Sequence, residues 1–418
     1  REGMLNAITF DNTIKSHDMV WIENGLGNFS NLVKYPHISK LTGKFENFSA
    51  IIVSPGPSLE KNIEHLKRVS DNALIIAVSH SLQYLSEHDV VPDIVIHVDP
   101  NIKVKKYFKT FDMSKVELLI LSATTGPEFF DLPSRNKCWV YANAFFDSWL
   151  MDLNNIEEYT LYGSCVSVAA LKMAYTWGCK KIALVGQDLS FEDDKFYAGS
   201  TFAPDAVIDG FEESVKSAYY KLPGYYGGEV LTKNDYRVYH IQFQHLAEDI
   251  NEQTDIELYN CTEGGANIEG FRNIPLVEFV EEKLNYSSHS ESDLSYSDMI
   301  GLVENSVNRQ QARKNLGRVR RLVDEIEKLF KVAIAKTNQK SSINGSDQSL
   351  QKIQKKIARK IKGSMFLKMA LQDPLSDLSE SEKYENSSDG YLEKGAEMYK
   401  ACLKVVKKLK IKLSKIKF

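Results

Sequence analysis

The chain has 418 residues, 43% hydrophobic and 26% charged, with a net charge of −4. That length and apolar content can build two or three domains with substantial cores, and no apolar run is long enough to span a bilayer. The five cysteines (Cys138, Cys165, Cys179, Cys261, Cys402) are odd in number and lack metal-like spacing, so they read as reduced structural thiols of a cytosolic protein.

Residues 1–45 read as a small mixed lead-in, with a turn-containing piece at 21–25. The chain opens on Arg1-Glu2-Gly3, an opening compatible with an upstream segment. From 50 to about 285 strand and helix alternate. AIIV at 50–53 is a buried-strand pattern that stops at Gly56-Pro57-Ser58, after which Leu59, Ile63 and Leu66 recur at helical spacing. Gly56 permits a tight backbone, Pro57 presets φ, and Ser58 stands where an N-cap belongs. Further strands are expected at 74–78, 94–98, 116–121, 138–141, 181–185 and 255–259. Helices are expected at 81–87 and over the Ala-rich 166–177. Such alternation predicts an α/β fold, a mostly parallel Rossmann-like sheet flanked by helices, with ligands at the carboxyl ends of the strands.

The chain changes character at a polar linker, 287–293. Beyond it, Leu316, Val319, Val323, Ile326 and Phe330 recur at three to four residues, and 352–371 and 391–416 repeat the amphipathic pattern. Three helices in a bundle account for this, giving a basic C-terminal all-α domain at 294–418 after a catalytic domain at 46–286. Residues 291–418 carry 27 Lys/Arg against 16 Asp/Glu, a net of +11, whereas residues 1–290 carry a net of −15. An acidic body with a basic tail fits a partner-binding appendage, and a lysine-rich solvated surface fits the same numbers.

Six loops at expected strand ends could carry chemistry. They are Gly56-Pro57-Ser58, Ser79-His80-Ser81, Asp99 at the end of PDIVIHVDP, Gly163-Ser164, Gly186-Gln187-Asp188, and Glu263-Gly264-Gly265. A helix N-terminus beside a tight turn favours an anion, and paired glycines allow close backbone approach. Each loop alone also reads as an ordinary βα connection. Six at one rim point to a nucleotide site. There is neither a G-x-G-x-x-G fingerprint nor a Walker loop, and His240 and His245, five apart in an expected helix, form no zinc pair.

Taken together, AIIVSPGPSLEKNIEHLK, PDIVIHVDP, GSCVSVAALKMAYTWGCKKIALVGQDLSF with FYAGS, and YNCTEGGANIEG resemble the motility-associated factor (Maf) family of bacterial flagellin glycosyltransferases, over about residues 20–285. The same core is similar to the archaeal 6-hydroxymethylpterin diphosphokinase family, which shares the Gly-Pro-Ser and Gln-Asp loops. It is distantly similar to bacterial sialyltransferases, whose Gly-Pro-Ser-Leu loop grips a CMP-activated sugar. The resemblance implies transfer of a nonulosonic acid (pseudaminic, legionaminic or sialic type) from its CMP conjugate to Ser/Thr hydroxyls of flagellin, in the cytoplasm before export. It implies that Gly56, Pro57 and Ser58 meet the CMP phosphate, Ser79 or His80 the nucleotide or sugar, and Ser164 the nucleotide, with Tyr197 near the leaving phosphate. The helical segment would hold the protein acceptor. No residue matches the sialyltransferases' catalytic histidine.

Breaking the sugar–phosphate bond leaves charge on CMP, and the attacking hydroxyl must lose a proton. Asp188 and Asp99 rank first as its acceptor, ahead of His80 and His240, and Gln187 and Tyr197 stand beside them. The donor is the CMP-sugar, with Mg2+ as an optional companion; neither nucleic acid nor a membrane span is expected. One alternative is a pyrophosphokinase using ATP and Mg2+ on a pterin-like alcohol, with Asp99 and Asp188 ligating metal. Another is a non-catalytic nucleotide-binding scaffold.

Overall fold

The computed structural model describes residues 19–46, 48–69, 73–101, 106–140, 165–191, 197–199, 220–284, 296–301, 309–339, 348–371, 375 and 388–417. They separate into two compact units, 35–140 with 165–301 and 19–34 with 309–417.

The first unit is an α/β sheet. Its strands are β1 (Ser49–Val53), β2 (Ala73–Val78), β3 (Ile94–His97), β4 (Leu118–Ser122), β5 (Asn136–Val140), β6 (Lys181–Val185), β9 (Glu257–Asn260) and β10 (Arg272–Asn273). All pair in parallel, in the order β10-β9-β6-β1-β2-β3-β4-β5. A separate antiparallel hairpin, β7 (Tyr220–Pro223) with β8 (Glu229–Thr232), was not anticipated.

The central strands are near-continuous apolar runs because both faces are covered. On one face Ala50, Ile52, Leu74, Ile76, Ile94 and Ile96 share a core with α4 (Val166–Trp177) and α5 (Asn234–Gln253). On the other, Ile51, Val53, Ile75, Ala77 and Val185 pack with Leu59, Ile63 and Leu66 of α2 (Leu59–Leu66), with Leu85 of α3 (Leu82–Glu87), and with Leu276 and Phe279. Alternate residues of each strand thus serve opposite cores, as the two-residue period requires. Alanines on α4 lie buried against the sheet, and the helix stops at Gly178, whose φ of +93° suits a left-handed cap.

The second unit is helical. Helix α1, residues 19–34, groups with α6 (Arg309–Gln339), α7 (Gln348–Lys362) and α8 (Ser388–Lys415). Every apolar position expected on α6 is buried, and Phe330 faces Tyr399 of α8 with centroids 6.1 Å apart. Glu23 of α1 pairs with Lys408 and Lys412 of α8.

The domain boundaries expected from sequence differ from this division at two places. Of the expected lead-in 1–45, residues 1–18 lie outside the described residues; 19–34, including 21–25, is helical and groups with the C-terminal helices, while 38–41 packs against the sheet. Ile300, placed by sequence in the helical domain, is buried in the sheet's core. Apolar periodicity reveals a buried face but not which body buries it. The linker 287–293 lies outside the described residues.

Ile52 is fully buried in the central strand. Replacing it with Ala leaves a cavity there, and chemical denaturation of the Ile52→Ala protein is expected to show a loss of about 2–5 kcal/mol.

Candidate functional site

Strand order reverses at β1. The chain runs outward through β2 to β5, then returns to the other side of β1 as β6. In open parallel sheets the crevice at such a reversal, outside the carboxyl ends of the strands, is where ligands bind. Here it lies between the loops that follow β1 and β6.

Those two loops are knitted together. The Ser54 N–H donates to Val185 O at 2.9 Å and the Gly56 N–H to Gly186 O at 2.8 Å, continuing the ladder past both strands. The Asp188 carboxylate then crosses to the start of α2, accepting the Ser58 N–H at 3.2 Å and the Ser58 hydroxyl at 2.8 Å. Ser58 itself is helical in backbone and makes no side-chain cap bond, so the expected N-cap is replaced by a carboxylate from another strand. Negative charge at a helix N-terminus is favourable, and charge-assisted hydrogen bonds are the strong ones. The anion that the helix start invites is therefore, in this structure, an internal one. Gly56 is required by that contact, because a Cβ there would overlap Asp188 Oδ2.

Behind this junction lies a buried polar chain that joins the expected Gln187 to Ser54, Ser167 and Thr262, which the sequence reading missed. The Ser54 hydroxyl donates to Gln187 Oε1 at 2.7 Å, which leaves the Ser167 hydroxyl, at 2.8 Å, to donate to Ser54. Ser167 stands in the first turn of α4. The Gln187 N–H donates to Thr262 Oγ1 at 3.3 Å, bringing in the loop after β9. The available signal was a serine directly after an apolar strand, and another at the start of the Ala-rich helix.

Glu263, Gly264 and Gly265 lie in the loop after β9, but the contacts of this loop are architectural. Gly265, at φ +70°, sits against the Asp188 backbone, and the Ala266 N–H donates to Asp188 O at 2.7 Å. The Glu263 carboxylate accepts the Leu276 N–H at 3.0 Å. The hairpin covers the loop's other side, with the Tyr225 N–H donating to Gly265 O at 2.9 Å.

Ser79, His80 and Tyr197 gather on the β2 side. Ser79 Oγ is hydrogen-bonded to Nδ1 of the buried His97, at 3.0 Å. Tyr197 is drawn to the β1 loop through the Ala198 N–H, which donates to Pro55 O at 2.8 Å. Burial raises the Tyr197 phenol's pKa, and a hydrogen bond with Tyr236 works against that rise. Asp99 is half-buried at the end of β3, where its Oδ1 accepts the Asn101 N–H at 2.7 Å and closes its own turn. Gly163 and Ser164 lie outside the described residues. His240 is spent on the Asn267 carbonyl, 2.7 Å from Nε2. Among the described residues no group of three or more His, Cys, Asp or Glu is placed to hold a metal ion. A cleft of about 450 Å³ opens elsewhere, at the amino ends of the strands, lined by Asn251, Thr254, Asp255, Glu257, Gly270 and Arg272.

Residues 23–194 match the family described as 6-hydroxymethylpterin diphosphokinase MptE-like. Among solved structures the chain is similar to a MAf glycosyltransferase from Magnetospirillum magneticum AMB-1, with a TM-score of 0.54 and 16% sequence identity. The match covers 95% of this chain and 60% of that one, so the chain spans about three fifths of that protein's length. At this identity the likeness is one of fold, and the expected sheet-plus-helices architecture is borne out. No curated protein matches in sequence.

A Gly56→Ala protein is expected to lose the Asp188–Ser58 contact. Its thermal midpoint should fall, and limited proteolysis should cut first near 54–58. A second expectation concerns pH. Burial lowers the pKa of His97 to about 3 and of His80 to about 4, from an ordinary 6.5. The unfolded chain binds those protons first, so stability rises with pH between the folded values and 6.5 and is lost as pH falls through that window. Urea denaturation from about pH 7 to about pH 4 should show this decline, less steep in His97→Gln.

Proposed function

We propose that the chain is a glycosyltransferase that moves a nonulosonic acid from its CMP conjugate to serine or threonine hydroxyls of flagellin. One observation supports the reading above others: the loops after β1 and β6 meet at the reversal point of a parallel sheet, and that fold is similar to the fold of a MAf glycosyltransferase. Among the described residues no helix is long and apolar enough to cross a membrane.

In this proposal the junction at Ser54, Gly56 and Asp188 is a rigid floor. Asp188 is a positioning residue, since its carboxylate is buried and already accepts two hydrogen bonds from Ser58. Leaving-group charge on the phosphate is met by N–H groups and hydroxyls at the rim. The half-exposed Asp99 takes the acceptor hydroxyl's proton as it attacks the anomeric carbon. The donor's C–O bond to phosphate breaks, the new glycosidic bond forms, and CMP leaves with the electron pair.

A second reading is favoured by the MptE-like match: transfer of diphosphate from ATP to a pterin alcohol. It calls for a magnesium site, and the commitment of Asp188 to Ser58 leaves that residue poorly placed as a ligand.

Thermal shift separates the two. The expected outcome is stabilisation by CMP and none by ATP with Mg2+; the reverse result replaces the transferase by the kinase. Intact-mass analysis of flagellin from a strain lacking the gene is expected to show loss of glycan mass, and an unchanged mass removes the transferase reading.

A further inference from the structure

Beside the junction, two half-buried rings are held nearly parallel. His80 rides on the short 3-10 turn Ser79–Ser81, which is pinned at both ends. Ser79 is bonded to His97, and the Ser81 hydroxyl donates to Val78 O at 2.8 Å. The buried Tyr107 packs against the imidazole, with centroids 4.2 Å apart and planes at 51°. The Tyr197 ring lies parallel to the imidazole within 10°, with centroids 6.4 Å apart. Its segment is fixed in turn by the bond from Ala198 to Pro55 and by the Gly199 N–H, which donates to Glu60 Oε1 at 2.7 Å.

Both His80 and Tyr197 are half-buried. Two hydrogen-bonded segments thus preorganise the two rings. We propose that His80 and Tyr197, backed by Tyr107, form a stacking platform for the base of a nucleotide. Aromatic faces bind bases with little regard to edge chemistry, because every base presents a π-face. Burial lowers the pKa of His80 to about 4, so near neutral pH the ring stacks uncharged. The Lys106 ammonium, 5.7 Å from the Tyr107 centroid, places positive charge alongside, as the phosphate of a nucleotide requires. His97 acts at one remove, as a positioning residue that holds Ser79 and through it the turn.

The platform rests on the donor-nucleotide reading only for which base it takes, and the test keeps the two apart. Binding of CMP, UMP, AMP, GMP, 6-hydroxymethylpterin and the base-free ribose 5-phosphate is measured by calorimetry on the full chain. The proteins are the wild type, His80→Ala, His80→Phe and Tyr197→Ala, each checked for its thermal transition. At least one planar ligand should bind the wild type and weaken about tenfold or more in His80→Ala and Tyr197→Ala. His80→Phe should restore it, and ribose 5-phosphate should respond equally to all four proteins. If His80→Ala does not fold, Tyr197→Ala carries the same comparison. Tight binding of another planar ligand without CMP upholds the platform and sinks the CMP-sugar reading. The platform is overturned if no planar ligand binds the wild type. It is equally overturned if folded Ala variants bind as the wild type does, or if folded His80→Phe restores nothing.

Discussion

A single buried carboxylate organises the carboxyl rim of this sheet. Asp188 reaches from the end of β6 to the first turn of α2, while its own backbone carbonyl receives the Ala266 N–H from the loop after β9. Three loops from three adjacent strands are thereby joined through one residue. A buried charge is costly unless its lone pairs are satisfied, so the surrounding residues are constrained to supply donors and room. Gly56 supplies the room by lacking a Cβ, and Ser58 supplies two donors. The helix's positive end is neutralised from within, which makes the loops rigid before any ligand arrives.

The transfer reaction proposed above draws on contacts fixed in this way. Donors fixed in advance need no reorganisation when charge develops on a leaving group. The hydrogen-bonded Ser167–Ser54–Gln187 chain extends the same stiffness from α4 across β1 to β6. On the β2 side the contacts are of another kind: the His80 and Tyr197 rings lie nearly parallel beside the polar junction, with the buried Tyr107 tilted against His80. That ring pair is the surface proposed above to take the flat base of a nucleotide.

The helical unit answers a different demand. Its basic excess is partly consumed inside the unit: Lys410 pairs with Asp324 and Glu327, and Lys408 and Lys412 pair with Glu23. The two lysines at Glu327, Lys331 and Lys410, hold its carboxyl down to about 2. The lysines of these pairs reach solvent although Glu327 is buried, and pairs open to water on one side stabilise little individually. They do orient α1, α6 and α8 around the buried Phe330, Tyr399 and Leu409.

The strands of the sheet were legible because their cause is local. β1, β2, β3 and β6 fall on runs such as AIIV, LIIAV, IVIH and KIALV, and such runs have no soluble alternative to burial on both faces. The Gly-Pro-Ser turn and the amphipathic period of α6 were local as well. What the sequence left open was every matter of partnership. Ser58 and Asp188 are 130 residues apart, and nothing in either neighbourhood says that one will bond the other. Residues 19–34 carry an apolar face that could have closed on the sheet as readily as on α8. Periodicity records which side of an element avoids water. Which surface then covers that side depends on strand order and chain return, settled only when the whole molecule packs, and that is why the sheet was readable in advance and its rim was not.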